Sequence, residues 1–512
     1  MSLFSYENLY RHYLGCRRNK RNTINALRFE ARQELNLLAL SEALQSRHYR
    51  PGPSVCFVTK RPKLREIFAA DFRDRVVHHV LVDHLEQYWE RVFIHDSYAC
   101  RKGKGVHAAV DRLQRCMRQV SANGQRRAWY LQLDIRNYFM RIDKAILWRL
   151  LEPHIADADA RWLTELLVFH DCAAGHILKG APGELARVPA HKSLLRCEPG
   201  KGLPIGNLNS QFFANVYLNG LDQFVKHRLR CRQYLRYCDD FVLLSDDREQ
   251  LLRWRGAIED QLEQTLQLEL NPRQRLRPVS DGVDFLGYIV RRDYRLVRRR
   301  VVNNLRARLL AFEAELVGEG RLLRRYRFEP MLLDALYAVL CSYRGHLAKA
   351  DSEGLWASLW TRFAFLSTYL DQDAATGKLV RKDCLPRQLT SARAQYRWLR
   401  QTFVGDVLFF QVGRFYELYG ADDVLLAQRL GLQPLAENRR GARFGFPVPL
   451  ARRYARILLR DGRAILVATQ TDNTWTGIRE RRPLWRLVPR REIRVGAAPS
   501  GEGSTPENRH WQ

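Results

Sequence analysis

Long hydrophobic runs are missing from this sequence, which contains no stretch of eighteen consecutive apolar residues. A transmembrane helix needs about twenty such residues, so a membrane span is not predicted. The first residues, Met1–Tyr6, also lack the basic and apolar regions of a signal peptide. We therefore expect a cytoplasmic protein without a membrane partner.

Cysteine pairs of the C-x-x-C type are absent from the ten cysteines. Unpaired cysteines in apolar runs are typical of small buried side chains in a reducing compartment. One group has residue types that bind zinc: His170, Cys172, His176, His191 and Cys197. Its spacing matches no standard zinc pattern, so an ordinary loop insertion is the preferred interpretation.

Acidic residues are scarce relative to basic ones, because 55 Asp and Glu stand against 85 Lys and Arg, a formal net charge of +30. Such an excess points to a polyanionic partner. The basic residues are spread along the chain rather than lined along one amphipathic helix, which favours nucleic acid over an anionic membrane surface. The length of 512 residues allows about three domains.

Three carboxylates stand at the ends of predicted strands. Asp239 and Asp240 lie in a predicted β-hairpin over 233–244, and Asp134 follows the strand-like run 128–133. Carboxylates on adjacent strand ends are good ligands for hard divalent cations. Two Mg²⁺ ions held about 3.5–4 Å apart, with Mn²⁺ as a substitute, would suit an in-line phosphoryl displacement.

The hydrophobic periodicity predicts a mixed architecture. A helical lead-in is followed by a helix over 71–93. The segment 126–290 reads as β-α-α-β-β-α-β, with its last strand at 284–290, and 297–370 reads as helical. A sheet with helices on one face is an α+β layout.

Six ordered motifs resemble those of bacterial reverse transcriptases. They are 63–67 with 71–77, 97–105, 134–139, 202–211, 237–240 and 285–287. The resemblance covers roughly 20–350 and implies a right-hand polymerase with fingers, palm and helical thumb. It also implies a template RNA, a cDNA/DNA duplex and deoxynucleoside triphosphates as partners, together with a small basic accessory protein that could be oligomeric.

The resemblance implies roles for particular residues. Asp134 and Asp239 would bridge the two metal ions, Asp240 would assist, and Phe139 would be the steric gate that selects deoxynucleotides. The nucleotide would also meet Lys63, Arg65, Arg75, Ile135, Ile205, Gly206 and Gln211. Template and primer would meet Arg101, Arg298, Arg299 and Arg300. The alternatives are a core aromatic at Phe139 and a solvated basic surface for the cations.

One departure from the common pattern is informative. Where common reverse transcriptases carry Q-G-x-x-x-S-P, this chain has Ile205–Gln211. That form resembles the enzymes of diversity-generating retroelements, which copy a template RNA with errors opposite adenine for mutagenic retrohoming. Ile205 can pack against a nucleotide but cannot hydrogen-bond to it, and apolar sites discriminate less well. The alternatives are a non-mutagenic reverse transcriptase of a retron or phage-defence system, and a non-enzymatic scaffold.

A second departure concerns the proton donor. Related enzymes usually place a Lys in the N-P-x-K region, whereas this chain has Asn271–Arg275. Arginine, with a pKa above about 12, is a poor general acid. The general acid is therefore left unassigned.

A second resemblance begins near residue 402. The segment Asp406–Gly420 contains the G-x-F-Y-E-L hallmark of the mismatch-recognition domain of MutS proteins. The pattern continues through predicted helices at 423–430 and 452–459, a glycine-proline turn at 445–447 and a strand at 465–470. Phe415 and Glu417 match the wedging Phe and the base-contacting Glu of that family. The alternative is a core Phe415 with a surface Glu417.

The two resemblances give a predicted division of the chain. It comprises N-terminal helices and fingers (1–125), palm (126–296), helical thumb (297–370), linker (371–401), a small α/β MutS domain I-like module (402–490) and a disordered tail (491–512).

Overall fold

The computed structural model describes residues 2–18, 23–60, 63–373, 375–419, 421–438, 441–475 and 477–490. The chain divides into two compact units, Met1–Arg298 and Arg299–Gln512. None of the helices in the described ranges combines the length and the apolar character needed to cross a bilayer. The predicted disordered tail, 491–512, lies outside the described residues.

The first unit mixes helices and strands. Its helices are α1 (Tyr6–Arg17), α2 (Ile24–Glu30), α3 (Gln33–Gln45), α4 (Phe72–Val92), α5 (Val106–Val120), α6 (Tyr138–Arg141), α7 (Lys144–Leu151), α8 (Ala158–Phe169), α9 (Pro182–Ala186), α10 (Leu208–Tyr217), α11 (Asn219–Gln223) and α12 (Arg248–Leu266). Its strands are β1 (Val55–Thr59), β2 (Arg65–Ala69), β3 (Trp129–Asp134), β4 (Ile177–Leu178), β5 (Gln233–Tyr237), β6 (Asp240–Ser245), β7 (Arg275–Pro278), β8 (Val283–Phe285), β9 (Tyr288–Val290) and β10 (Arg295–Val297).

Helix α4 shows how the sequence builds this unit. Asp71 caps the helix, because its side chain accepts a hydrogen bond from the backbone N–H of Arg73. Val76, Val77 and Val80 recur at helical spacing and are buried in the main core. The helices predicted for the lead-in and for 71–93 are confirmed.

A four-stranded central sheet positions the site. Its strand order is β5-β6-β3-β7, and β3 pairs antiparallel with both β6 and β7. Leu131 and Leu133 on β3, with Phe241 and Leu243 on β6, are buried in the core. Alternation along β3 therefore leaves Gln132 and Asp134 on the other face. The end of β3 lies beside the start of β6, so both are at the same end of the sheet's central strands.

The strand predicted over 284–290 is wrong. Leu286 and Gly287 have φ of +50° and +96°, and they form a two-residue turn between β8 and β9. These strands belong to a separate sheet of order β10-β9-β8. The fourth strand of the central sheet is β7, which was not predicted, because its arginines hide any apolar alternation.

The insertion at about 171–200 is attached to the strands β1 and β2. Its strand β4 pairs parallel with β1 in a sheet of order β2-β1-β4. Cys172 packs with Cys56 and Phe68, and the Nδ1 atom of His176 lies 2.7 Å from the backbone oxygen of Ala173. These potential zinc-binding side chains therefore have local structural partners.

The second unit carries the remaining elements. Its helices are α13 (Arg299–Leu316), α14 (Pro330–Leu347), α15 (Glu353–Arg362), α16 (Leu366–Tyr369), α17 (Ala392–Thr402), α18 (Ala421–Arg429) and α19 (Ala451–Arg460). Its strands are β11 (Val317–Glu319), β12 (Leu323–Arg327), β13 (Leu370–Gln372), β14 (Leu379–Arg381), β15 (Val407–Val412), β16 (Phe415–Leu418), β17 (Pro434–Asn438), β18 (Gly441–Pro447), β19 (Ile465–Trp475) and β20 (Ile478–Pro489).

One mixed sheet runs through this unit. Over the described residues its order is β11-β12-β20-β19-β15-β16-β18-β17. The hairpin β11–β12 lies inside the segment 297–370, which was predicted to be helical throughout, and that prediction is wrong here. Strand β12 pairs with β20 from Leu323 opposite Pro489 to Arg327 opposite Trp485. Its basic sequence gave no strand signal, because its order comes from pairing with a distant strand.

The segment 371–401, predicted as a linker, is partly ordered. It continues the hairpin β13–β14 and contains most of α17. Tyr396 and Leu399 of α17 are buried, and the ring of Tyr396 lies 5.3 Å from that of Phe410 on β15. The polar, charged composition of 371–401 conceals the apolar face of α17.

The glycine-proline turn predicted at 445–447 is instead the end of β18. Strands β16 and β18 approach closely at Gly445, where a Cβ atom would lie 2.7 Å from the backbone oxygen of Tyr416. The glycine therefore serves a close strand contact rather than a turn.

Candidate active site

The three predicted carboxylates come together at one end of the central strands β3 and β6. Asp134 ends β3 and pairs in register with Asp240 at the start of β6. Asp239 lies in the tight turn between β5 and β6, where Cys238 has a φ of +58°. The backbone N–H of Ile135 donates to the backbone oxygen of Asp239 at 3.3 Å, which ties the turn to the end of β3.

The carboxyls are electrostatically coupled. Burial and the nearby charge of Asp239 raise the pKa of Asp134 to about 6. Burial, together with the charges of Asp239 and Asp134, raises the pKa of Asp240 to about 7. Like charges that crowd a partly buried site disfavour ionisation of each other. Positive charge brought to this site would therefore be stabilised.

Two amide side chains hold the carboxylates in place. Gln132 Nε2 donates to Asp240 Oδ1 at 3.1 Å, and Asn271 Nδ2 donates to Asp134 Oδ2 at 3.1 Å. Neither residue was predicted as part of the site. Gln132 could have been found because it lies two residues before Asp134 and so on the same face of β3.

The chemistry of the donor set fits a hard divalent cation, because all three side chains offer carboxylate oxygens. Asp134 and Asp239 are in hydrogen-bonding contact with each other, while Asp240 is held by Gln132. Among the described residues, no group of three His, Cys, Asp or Glu side chains is already arranged as a metal site. The carboxylates would have to adjust around an ion.

The predicted phosphate-binding cations differ in their surroundings. Lys63, just before β2, and Arg65, at its start, are exposed, and the charge of Lys63 acts to lower the pKa of Asp134. The positive charge of Lys63 is therefore near enough to act on Asp134. Arg75 is half-buried, and its Nε donates to the backbone oxygen of Ala70 at 2.9 Å. Arg75 thus supports the start of α4.

The loop that carries Ile205 packs against strand β2 and the residue after it. The backbone N–H of Phe68 donates to the oxygen of Ile205 at 3.0 Å, and Asn207 Oδ1 accepts from the N–H of Ala70 at 3.0 Å. Gly206 has a φ of +124°, and a Cβ atom there would lie 3.1 Å from the oxygen of Phe68. The loop holds Ile205 half-buried, whereas Gln211 on α10 is exposed.

Two further predicted nucleotide contacts flank the carboxylates. Phe139 on α6 is half-buried, and its backbone oxygen accepts from Leu203 at 2.8 Å. That bond joins the gate position to the start of the Ile205 loop. The side chain of Ile135 is only 1% exposed and belongs to the core, so only its backbone is available at this edge.

Arg101 does not have the surroundings predicted for a nucleic-acid contact. Its guanidinium pairs with Glu90 at 2.8 Å and donates to the backbone oxygens of Ile94 and Ser97. Its side chain is 5% exposed. Arg101 therefore fastens the end of α4 to the following loop.

The arginines at the start of the predicted thumb separate into two kinds. Arg298 bonds to Asp284, and its charge acts to lower the pKa of Asp240. Its charge is thus already engaged with carboxylates of the first unit. Arg299 and Arg300 open α13 and are exposed, as a phosphate contact requires.

In the second unit, Phe415 and Glu417 lie on β16 but differ in exposure. Phe415 is 36% exposed, whereas Glu417 is 5% exposed. Glu417 accepts a hydrogen bond from the Tyr419 hydroxyl, and Arg443 Nη1 lies 3.7 Å from its carboxylate. Phe415 is available to a ligand, and the carboxylate of Glu417 is engaged within the fold.

Two families match separate parts of the chain. Residues 58–290 match the family described as "Reverse transcriptase (RNA-dependent DNA polymerase)", and residues 390–494 match "MutS domain I". The second match includes α17, in agreement with its packing on β15.

Individual relatives give the same division. The group II intron-encoded protein LtrA of Lactococcus lactis subsp. cremoris is 26% identical over 195 residues, 38% of this chain and 28% of that protein. The DNA mismatch repair protein MutS of Paracoccus denitrificans (strain Pd 1222) is 32% identical over 93 residues, 17% of this chain and 10% of that protein. The chain thus spans little more than a quarter of the first relative and a tenth of the second.

Among solved structures, an apo telomerase from Candida tropicalis aligns with a TM-score of 0.34 and 11% identity, over 52% of this chain and 60% of that one. The family and sequence matches show that the chain carries a reverse-transcriptase domain, which supports an RNA-directed DNA polymerase, and a segment similar to MutS domain I.

Proposed function

We propose that this protein makes error-prone cDNA from a template RNA, for mutagenic retrohoming in a diversity-generating retroelement. The main observation in support of the polymerase activity is that Asp134, Asp239 and Asp240 lie together at the same end of β3 and β6 in the central sheet. Ile205, at the position where common reverse transcriptases have Gln, supports the error-prone part.

The carboxylates would act as metal ligands. Asp134 and Asp239 would hold two Mg²⁺ ions, or Mn²⁺ as a substitute, with Asp240 assisting. When bound, such ions lower the pKa of a primer 3′-hydroxyl and offset the charge of the triphosphate. Asn271 and Gln132 would keep the carboxylates directed at the ions, since each donates to one of them.

The incoming nucleotide would lie between fingers and palm. Lys63 and Arg65 are exposed cations that can contact its phosphates. Phe139 would lie against the sugar and exclude a 2′-hydroxyl. Arg273 is exposed and suited to hold phosphate, but its high pKa makes it a poor proton donor, so no general acid is assigned.

The structure supports a direct role for Ile205 in fidelity. Its loop is fixed on both sides, by the backbone bond to Phe68 and by the bond from Ala70 to Asn207. The side chain is therefore held in one place beside the fingers. An apolar surface there offers no hydrogen bond that a mispaired nucleotide would lose, so discrimination is weak.

The test of the error-prone activity is the Ile205→Gln substitution. We expect misincorporation opposite template adenine to fall about tenfold or more, because a hydrogen-bonding side chain discriminates better than an apolar one. Sequencing of cDNA made by the full chain measures this rate, with Ile205→Leu as the apolar control. An unchanged error rate in Ile205→Gln would favour a non-mutagenic reverse transcriptase of a retron or phage-defence system.

We further propose that the MutS-like module binds the duplex that the polymerase makes or that forms at the target gene. Phe415 supports this proposal, because an exposed aromatic can wedge at a base step, and wedging at a mispaired step costs less than at a matched one. Glu417 is engaged with Tyr419, so Phe415 would sense the mispair without it.

Duplex binding by the full chain tests this second part. We expect tighter binding to mismatched than to matched duplexes, and Phe415→Ala should remove the difference. Leu425→Ala is the matched control, because Leu425 is also an exposed apolar residue of the module. Equal affinities of the wild-type chain for all duplexes would leave the module as a general duplex clamp.

A further inference from the structure

Strand β7 forms an exposed, basic edge strand of the central sheet. It is the terminal strand of the sheet, and Arg273, Arg275 and Arg277 recur at every second position along it and just before it. All three side chains are exposed. Arg275 pairs with Asp284 at 3.3 Å, whereas Arg273 and Arg277 make no ion pair with any residue of the described ranges.

This row of arginines runs away from the carboxylates. It starts beside Asn271, which bonds to Asp134. Along the antiparallel pairing with β3, Gln132 lies opposite Arg275, Tyr130 opposite Arg277 and Trp129 opposite Pro278. Alternate residues of a strand are about 6.6 Å apart, so the row forms a regular line of positive charge.

The row ends at a pocket of about 580 Å³, within the usual size range of ligand sites. Four arginines and two aromatic residues line it: Arg126, Arg127, Arg291, Arg292, Trp129 and Tyr294. Asp293 is the carboxylate among its lining residues. The pocket lies at the opposite end of β3 from Asp134, five residues and about 17 Å away.

Several of these arginines have weak or incomplete pairing within the fold, which leaves their guanidinium groups available to an anion. Arg127 is exposed and makes no ion pair within the described part of the chain. Arg126 is 3.8 Å from Asp246, with both side chains exposed, and such pairs are weak. Arg291 donates to the backbone oxygen of Ser280 at 2.7 Å, yet its Nε is buried without a hydrogen-bond partner among the described residues.

The remaining arginine is held in place by the loop before β3. Arg292 donates to the backbone oxygen of Asn123 at 2.6 Å and pairs with Asp293 at 2.8 Å. At Gly124, whose φ is +91°, a Cβ atom would lie 1.3 Å from the Nη1 atom of Arg292, so a side chain there would displace this guanidinium.

We propose that the β7 arginines and this pocket, together called the edge site, bind a single-stranded nucleic acid outside the catalytic edge. Phosphates would follow Arg273, Arg275 and Arg277, and a base would stack on Trp129 or Tyr294 in the pocket. Arginines that track a backbone beside aromatic platforms are typical of single-strand binding. The guanidinium of Arg291 lies 5.8 Å from the ring centre of Tyr294, whose side chain is 43% exposed. An acidic protein would pair with the arginines but would offer no base to stack on this exposed ring.

Competition binding with the full chain tests the edge site. The chain is first saturated with unlabelled template–primer duplex, and the affinity for a labelled, unstructured single strand is then measured at several salt concentrations. The edge variant is Arg127→Glu with Arg277→Glu, and the control is Arg28→Glu with Arg149→Glu. All four side chains are exposed, so both variants should fold, and both change the net charge equally.

We expect the edge variant to bind the single strand at least tenfold more weakly than wild type. Its slope of log affinity against log salt should fall by about 1.4, because each lost phosphate contact removes about 0.7. Tyr294→Ala should weaken binding by about tenfold, through lost stacking. The control should stay within about twofold of wild type.

Parallel arms with RNA and DNA of one sequence identify the ligand. Weakening for both indicates recognition of the shared backbone, and weakening for one alone identifies that nucleic acid as the ligand. If the edge variant and the control have the same affinity and salt slope in both arms, the proposal is overturned. Because binding is the readout, this result is independent of polymerase activity and fidelity.

Discussion

The carboxyls of Asp134 and Asp240 are difficult to ionise, because each is partly buried and each lies near other acidic side chains. This cost is a property of the folded chain without a cation. It explains why two amides, from Gln132 and Asn271, are aimed at the carboxylates. At the residue scale, the site is a cluster of mutually repelling carboxylates in a strongly basic protein.

Replacing one carboxylate with a neutral side chain should remove part of this electrostatic repulsion. Between pH of about 4 and about 7, folded Asp240 keeps a proton that the unfolded chain has released, so its contribution to stability falls as pH rises. In the absence of divalent cations, we expect Asp240→Asn to raise the free energy of unfolding at pH 8 by about 1–2 kcal/mol, a value reduced for partial solvent screening. The difference should vanish near pH 4.

Chemical denaturation across this pH range measures the effect, with Asp281→Asn as the control because Asp281 is exposed. A lower stability of Asp240→Asn at pH 8 would contradict the electrostatic account of the site.

Single residues also show what the sequence could reveal. The roles expected for Asp134, Asp239 and Asp240 rest on motif order, and the structure brings the three together. Arg101 and Glu417 were assigned to ligands by motif position, yet their side chains bond within the fold. A motif gives the position of a residue, but its hydrogen-bond partners come from distant parts of the chain.

At the scale of secondary-structure elements, strong periodicity was predictive. The predicted positions of α4 and β3 agree with the structure, because their apolar residues repeat at the helical or strand period. The turn between β8 and β9 was not predicted, because leucine rarely has a positive φ and Leu286 therefore gave no sign of a turn. Strands β7, β11 and β12 are arginine-rich and owe their order to pairing.

The hairpin β11–β12 links the predicted thumb to the MutS-like module within one unit. Phe328, which follows β12, has its ring 5.0 Å from that of Tyr369 and 5.9 Å from that of Phe403. Arg486 of β20 bonds to Asp406 and also to Thr368 Oγ1 at 3.2 Å. These contacts join residues on both sides of the segment predicted as a linker.

A fragment comparison tests this link. We expect residues 299–490 to unfold in one cooperative transition, because the sheet and the aromatic contacts join all its parts. Residues 371–490 should be less stable and prone to aggregate, since β20 would expose an unpaired edge. Calorimetry and light scattering measure both properties. Equal stability of the two fragments would show that the module folds without the hairpin.

At the scale of the whole molecule, the chain has a net charge of +30 and two segments that match the reverse transcriptase and MutS domain I families. A polymerase that makes mismatched cDNA and a module that detects mispairs would act on the same product. The edge site would add a place for the unpaired part of a template. In the proposals above, each of the three surfaces would bind a different form of nucleic acid.

The central claim is that the carboxylates at the ends of β3 and β6 support RNA-templated DNA synthesis. The most direct measurement is extension of a DNA primer on an RNA template by the full chain with Mg²⁺, compared with Asp239→Asn and Asp240→Asn together. We predict extension by the wild-type chain and a loss of at least about a hundredfold in the double variant, with its folded content unchanged. Undiminished extension by the double variant would contradict the account.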